Sequence, residues 1–300
     1  MTEQTAQILD GSKTAAAIRE DLAKQVTELT AGGKRAPGLA VVLVGDDPAS
    51  HIYVKNKVNA CKKVGIVSFM HQFPADATPQ VVLDKLRELN ADDAVDGILV
   101  QLPLPKQFNT EEILDAIAPE KDADGLHYVN AGKLVVGKPA ARPCTPLGVI
   151  VLLERYGVEL SGKHAVVIGR SNLVGKPVSL MLQERNATVT MCHSRSQNLD
   201  QIVRGADVLV VAAGRPHMVK GSWIKPGAVV VDVGIHRETN EAGESKIIGD
   251  VEFDDAVKIA SKITPVPGGV GPMTIAMLLS NTVENYRRRM DVRQPASALK

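Results

Sequence analysis

Aromatic side chains are scarce in this chain: four Phe, four Tyr and one Trp, 3% of 300 residues. A core without them must be filled by Ala, Val, Leu and Ile, which suits buried parallel strands and packed helices. The apolar share of 44% is enough for such a core. An excess of either charge is also missing. The net charge is +1, so no global field draws the protein to nucleic acid or to a membrane surface. Cysteine is limited to Cys61, Cys144 and Cys192, in no C-x-x-C pattern. That argues against a disulfide framework and fits a reducing compartment. No apolar run reaches the about 18 residues of a membrane span. The opening MTEQTAQILDGS has neither the basic start nor the apolar stretch of a secretory leader. The histidines are scattered, with no pair at metal-ligand helical spacing, so no metal is expected. Repeats and low-complexity tracts are absent too. The expectation is a cytoplasmic protein that engages neither nucleic acid nor membrane.

What is present is alternation. Leu39–Val44 reads as a buried strand. Asp47 then offers an N-cap and Pro48 a first-turn proline for a helix to about Val64, closed by Gly65. Strands are expected over Ile66–Met70 and Gly97–Leu102, with a helix over Thr78–Leu89 between them. A change of character over residues 130–145 suggests a domain linker. A second series follows, with strands at Ala165–Ile168, Thr188–Cys192, Asp207–Ala212, Ala228–Val233 and Lys262–Thr264. A final helix is expected from about Met273 to Arg289, with a polar tail at 291–300 that should fray. Arg287–Arg289 reads as a basic cap on that helix. The class is α/β with mostly parallel strands.

The most informative stretch runs from His164 to Pro177. Apolar Val166–Ile168 breaks at Gly169, a polar turn follows, and Gly175 and Pro177 open a helical run. Strand, tight turn and helix make the anion-binding start of a dinucleotide-binding unit. The turn departs from G-x-G-x-x-G, since Ser171 replaces the second glycine and Gly175 comes one place late. A plain connection is the competing reading. After the next strand an NAD enzyme usually presents an acid to the ribose 2′-hydroxyl. Here the segment is Cys192-His-Ser-Arg195, with no carboxylate before Asp200. Arg170, Ser194 and Arg195 suit a 2′-phosphate instead, which predicts NADP.

Four other features carry chemistry. Tyr53 and Lys57 lie four apart, one above the other on a helix face, beside an apolar stripe of Val54, Val58 and Cys61. Taken alone, Lys57 reads as an ordinary exposed lysine and Tyr53 as a packing residue. Gln101 is the polar side chain in Ile98–Leu104, near the carboxyl end of a buried strand, where ligands sit in open α/β sheets. It could instead bond a loop backbone. Asp124 precedes Gly125 and can be simple turn chemistry. Pro265–Thr274 combines three prolines and three glycines. Rigid, nearly side-chain-free backbone lets a flat ligand approach closely.

Together these segments resemble the bifunctional methylenetetrahydrofolate dehydrogenase/methenyltetrahydrofolate cyclohydrolase family. The matching stretches are Ser50–Lys57, Asp96–Pro105, Lys121–Gly125, Arg142–Pro146, Gly169–Pro177 and Pro265–Thr274, in the family's order over almost the whole chain. Ala123 stands where Val is usual and Ser196 where Thr is common. The resemblance implies two α/β domains flanking a cleft, the C-terminal one Rossmann-like. Residues 1–140 would bind folate, completed by a C-terminal helix at about 275–300, and 141–274 would bind NADP. It implies homodimers through the cofactor domain, and tetrahydrofolate derivatives as substrates. Tyr53 would stack on the folate, Lys57 be the catalytic amine, Gln101 its partner, and Asp124 the pterin anchor. Gly268, Gly269 and Pro272 would shape the folate pocket. Gly169, Arg170, Ser171, Val174, Gly175, Ser194, Arg195 and Ile235 would line the cofactor site. The implied activities are oxidation of 5,10-methylenetetrahydrofolate and hydrolysis of the product to 10-formyltetrahydrofolate. A dehydrogenase without the hydrolase, a different two-domain NADP reductase and a non-enzymatic folate-binding module are the alternatives.

Overall fold

The computed structural model describes residues 5–239 and 245–290. The tail expected to fray, 291–300, lies outside the described residues. Two units emerge: residues up to Ala16 with Thr145–Thr274, and Ala17–Cys144 with the residues from Ile275 onward.

In the second of these, a three-stranded parallel sheet has the order Val67–Phe73, Gly38–Val44, Gly97–Val100. The central and last strands are buried along their whole length, as their unbroken apolar runs require. Val82, Leu86 and Leu89 of the helix Pro79–Ala91 pack against Ala40, Val42 and Val100. Helix Pro48–Val64 forms as its caps dictate. Asp47 accepts from the Ser50 N–H at 2.8 Å, and Gly65 ends the helix at φ 86°, a left-handed value that glycine adopts without strain. Asp96, fully buried, is held by Arg35 at 2.6 and 2.7 Å, Arg289 at 2.8 Å and the Gly38 N–H at 2.9 Å. A buried carboxylate is tolerated only with such compensation.

Several boundaries move. The strand read as Gly97–Leu102 ends at Val100, which leaves Gln101 just past the ladder. The stretch 130–145, read as a linker, carries most of a helix, Tyr128–Val135, and the start of another, Cys144–Arg155. Its first polar residue is bonded to the segment just before it. His127 Nδ1 accepts from the Val129 N–H at 3.0 Å, and buried Asn130 donates to the Pro119 carbonyl at 2.8 Å and to Asp122 at 2.9 Å.

The other unit holds a six-stranded parallel sheet: Gln7–Ile8, Lys262–Ile263, Val229–Asp232, Val208–Val211, His164–Ile168, Thr188–Cys192. Gln7–Ile8 is too short to leave a sequence pattern. A separate antiparallel pair, His236–Thr239 with Ser245–Ile248, is mostly exposed and was also not anticipated. From His164–Ile168 the chain passes first to Thr188–Cys192 on one side and then to Val208–Val211 on the other. Such a reversal of strand order is where α/β sheets of this kind bind dinucleotides, outside the carboxyl ends.

Candidate active site

Lys57 sits on the helix Pro48–Val64, only 9% exposed. Its Nζ donates to Gln101 Oε1 at 2.9 Å. The Gln101 amide donates onward to the Leu102 carbonyl at 2.6 Å, and its backbone N–H bonds Val42 at 2.8 Å. The amide is thus held with its oxygen toward the amine. Burial pushes the Lys57 pKa below the ordinary lysine value, while the Asp124 carboxylate works the other way. Burial pushes the Asp124 carboxyl above the usual carboxylate range, opposed by Lys57. Tyr53, one turn before Lys57, is 43% exposed and free to meet a ligand.

The turn around Gly125 is served by a different acid. Asp122 accepts from the N–H groups of Gly125 and His127, both at 2.9 Å. Asp124 is therefore not needed for the turn, which removes the simplest competing account of it. Sequence reasoning missed Cys144. It is buried beside Asp124, its thiol bonded to that carboxyl and to the Ala123 carbonyl at 3.3 Å, with its pKa pushed well up by burial. Cys144 lies in the matching stretch Arg142–Pro146, but a lone cysteine at a helix start gave no sign of this contact.

In the other unit, the glycine turn is tightly packed against backbone. A Cβ on Gly169 would lie 2.3 Å from the Ala212 carbonyl oxygen, and one on Gly175 2.1 Å from the Gly169 oxygen. Only glycine allows this close passage. Ser171, in place of the usual glycine, accepts from Val174 N–H at 3.1 Å and Gly175 N–H at 3.4 Å. It caps the helix Gly175–Glu184 from within the turn. The N–H groups of Arg170, Ser171, Asn172 and Leu173 find no acceptor among the described residues. Four free donors in an exposed turn fit a pyrophosphate. Arg170, Ser194, Arg195 and Ile235 are all exposed, and Val174 is half-buried. His193 and Ser196 close the second turn, with the His193 N–H on Ser196 Oγ at 2.9 Å. Serine at 196 therefore keeps the hydroxyl that the usual threonine would supply.

Behind this region lies a buried acidic pair that sequence reasoning missed. Asp250 has no exposure and accepts from the N–H groups of Ala213, Gly214 and Arg215 at 2.7–2.9 Å and from His236 at 2.7 Å. Asp232 bonds the Asp250 and Val251 N–H groups, and burial pushes its pKa up to about 6.

The helix expected from Met273 starts at Val270. Gly268 has φ 104°, and its oxygen accepts from Ser12 N–H at 3.0 Å. A Cβ on Gly269 would lie 2.6 Å from the Pro265 oxygen. Local packing thus accounts for both glycines, and Pro272 lies half-buried in the helix's first turn. Among the described residues no helix is long and apolar enough to cross a membrane.

Two family models match the chain. The catalytic domain of tetrahydrofolate dehydrogenase/cyclohydrolase covers residues 9–124, and its NAD(P)-binding domain covers 143–290. Bifunctional protein FolD of Geotalea daltonii is 56% identical over 284 residues, 95% of this chain and all of the relative. Among solved structures, the bifunctional FolD methylenetetrahydrofolate dehydrogenase/cyclohydrolase of Campylobacter jejuni superposes with a TM-score of 0.91 at 47% identity, covering 95% and 99% of the two chains. The Trypanosoma brucei methylenetetrahydrofolate dehydrogenase-cyclohydrolase, solved with NADP cofactor and inhibitor, gives 0.90 at 41% identity over 95% and 99%.

Proposed function

The chain belongs to the tetrahydrofolate dehydrogenase/cyclohydrolase family, and from that membership we propose which of its residues do the work. It is an NADP-dependent methylenetetrahydrofolate dehydrogenase and methenyltetrahydrofolate cyclohydrolase. It oxidises 5,10-methylenetetrahydrofolate to the methenyl cation and hydrolyses that product to 10-formyltetrahydrofolate, a step of one-carbon metabolism. Residues Ala17–Cys144 with the last helix form the folate-binding unit in this reading, and Thr145–Thr274 the NADP-binding unit.

The observation that carries the assignment is the bond between Lys57 and Gln101. NADP⁺, when bound, accepts the hydride; what the chain must do is hold the reacting carbons close and aligned. The free amides of residues 170–173 would hold the pyrophosphate, and Arg170, Ser194 and Arg195 the 2′-phosphate. Tyr53 stacks on the folate, Asp124 accepts from the pterin N–H groups, and Gly268, Gly269 and Pro272 border the substrate. Hydrolysis needs proton transfers. Water adds to the bridging carbon and gives a proton to neutral Lys57. The carbon–N5 bond then breaks, N5 takes up a proton, and one proton in all is released. Burial favours the neutral amine this requires. Gln101 does not titrate, so it orients Lys57.

The protein also acts in the cytoplasm as a homodimer through the cofactor unit, away from nucleic acid. The terminal strand Thr188–Cys192, with Met191 42% exposed, supports the dimer: among the described residues it is a sheet edge with one neighbouring strand. The near-neutral charge supports the last point. A single mixture of protein, methylenetetrahydrofolate and NADP⁺, followed by absorbance, tests the function. NADPH should form while methenyl absorbance stays below it; methenyl accumulating one for one with NADPH would remove the hydrolase.

A further inference from the structure

Asn281 is a polar residue on the buried face of the last helix, only 6% exposed between Leu278 and Val283. Its Nδ2 donates to the carbonyls of Ala123 and Arg142, each at 2.9 Å, and lies 3.5 Å from Cys144 Sγ. Ala123 O is the carbonyl of the peptide leading into Asp124. The carbonyl of Asp124 itself accepts from the Cys144 N–H at 3.2 Å, and the next N–H, of Gly125, is held by Asp122. The segments 122–125 and 142–144 run so close that a Cβ on Gly125 would lie 2.3 Å from the Arg142 carbonyl carbon. One amide thus ties both segments beneath Asp124 to the last helix.

We propose that Asn281 is a positioning residue for folate binding, acting through the backbone and thiol that hold Asp124. This rests on the reading of Asp124 as the pterin anchor. A buried amide whose hydrogens both go to backbone carbonyls fixes where the following side chain points, and a buried network of this kind loses its geometry when one member goes. The Ala123 carbonyl takes the Cys144 thiol as its other donor, at 3.3 Å.

Asn281→Leu keeps the volume and removes both donors. The KM for methylenetetrahydrofolate should rise about tenfold, the scale of one lost positioning contact, with the KM for NADP⁺ unchanged. In an Asp124→Ala background the same change should move the folate KM by less than about twofold, because the two act as one unit. Thr282→Val is the control: Thr282 is also buried, and among the described residues its hydroxyl bonds its own helix, at Leu278. It should lower the melting temperature without moving the folate KM. If the leucine variant does not fold, Asn281→Ser serves, since serine can bond its own helix carbonyl, and the same rise is expected. An unchanged folate KM in the Asn281 variant, full additivity with Asp124→Ala, or an equal rise in Thr282→Val overturns the inference. If Asp124→Ala alone leaves the folate KM normal, the anchor reading fails and this inference falls with it. If Asp124→Ala raises the KM and Asn281→Leu does not, only the inference falls.

Discussion

Gln101 presents its carbonyl oxygen to the Lys57 amine at 2.9 Å, and its own amide is turned away onto the Leu102 carbonyl. The partner of a buried lysine is therefore a neutral acceptor and not a carboxylate. A carboxylate in that place would hold the ammonium form; an amide orients the amine and leaves it able to lose its proton.

A pH dependence follows. Lys57 is lowered from 10.5 by burial, against the pull of Asp124. The folded chain thus binds fewer protons than the unfolded chain between the lowered pKa and 10.5. In that window stability rises with pH, and below it the buried ammonium costs stability. The hydrolase, which needs the neutral amine, should gain rate as the pH rises through that lowered pKa. NMR titration of the Lys57 side chain should find it below 10.5 and lower still in Asp124→Asn. A titration at or above the ordinary lysine value would contradict the base role.

Asp124→Ala should damage both activities, since the pterin must be held for hydride transfer and for hydrolysis alike. The expected loss is that of a charge-assisted contact, about 1.5–3 kcal/mol in kcat/KM. Normal folate affinity with both rates intact would leave Asp124 without a role, because the turn belongs to Asp122.

Much of this was legible in the sequence, for identifiable reasons. Asp47, Pro48 and Gly65 fix the ends of the Lys57 helix through local chemistry alone. Val166–Ile168 and Gly169 announce strand and turn in the same way. Long-range partners leave no such trace. Nothing near Asn281 or Asp250 in the chain reveals that their polar groups serve carbonyls and amides far away. Residues 130–145 misled partly because Asn130, buried and bonded to Pro119 and Asp122, looks in the sequence like a polar residue facing water.

Cofactor choice is tested by replacing Arg170 and Arg195 together. Both are exposed and positioned for a 2′-phosphate in the reading above. The double variant should lose NADP⁺ affinity while NAD⁺ affinity stays nearly constant, measured as the ratio of kcat/KM for the two. Two charge-assisted contacts of about 1.5–3 kcal/mol each predict a loss of at least about a hundredfold. Equal efficiency with both cofactors in the unmutated protein would contradict the assignment.

The most direct test of the account is Lys57→Met, which keeps much of the stem's bulk and removes the amine. Hydride transfer moves no proton through this side chain; hydrolysis does. Added methenyltetrahydrofolate is followed by absorbance, corrected for spontaneous hydrolysis, beside NADPH formation from methylenetetrahydrofolate. The account predicts that hydrolysis falls by about 10²–10⁴-fold, the worth of general acid–base catalysis, while measurable dehydrogenase activity survives. A variant that clears methenyltetrahydrofolate at the unmutated rate would show that Lys57 is not the catalytic group.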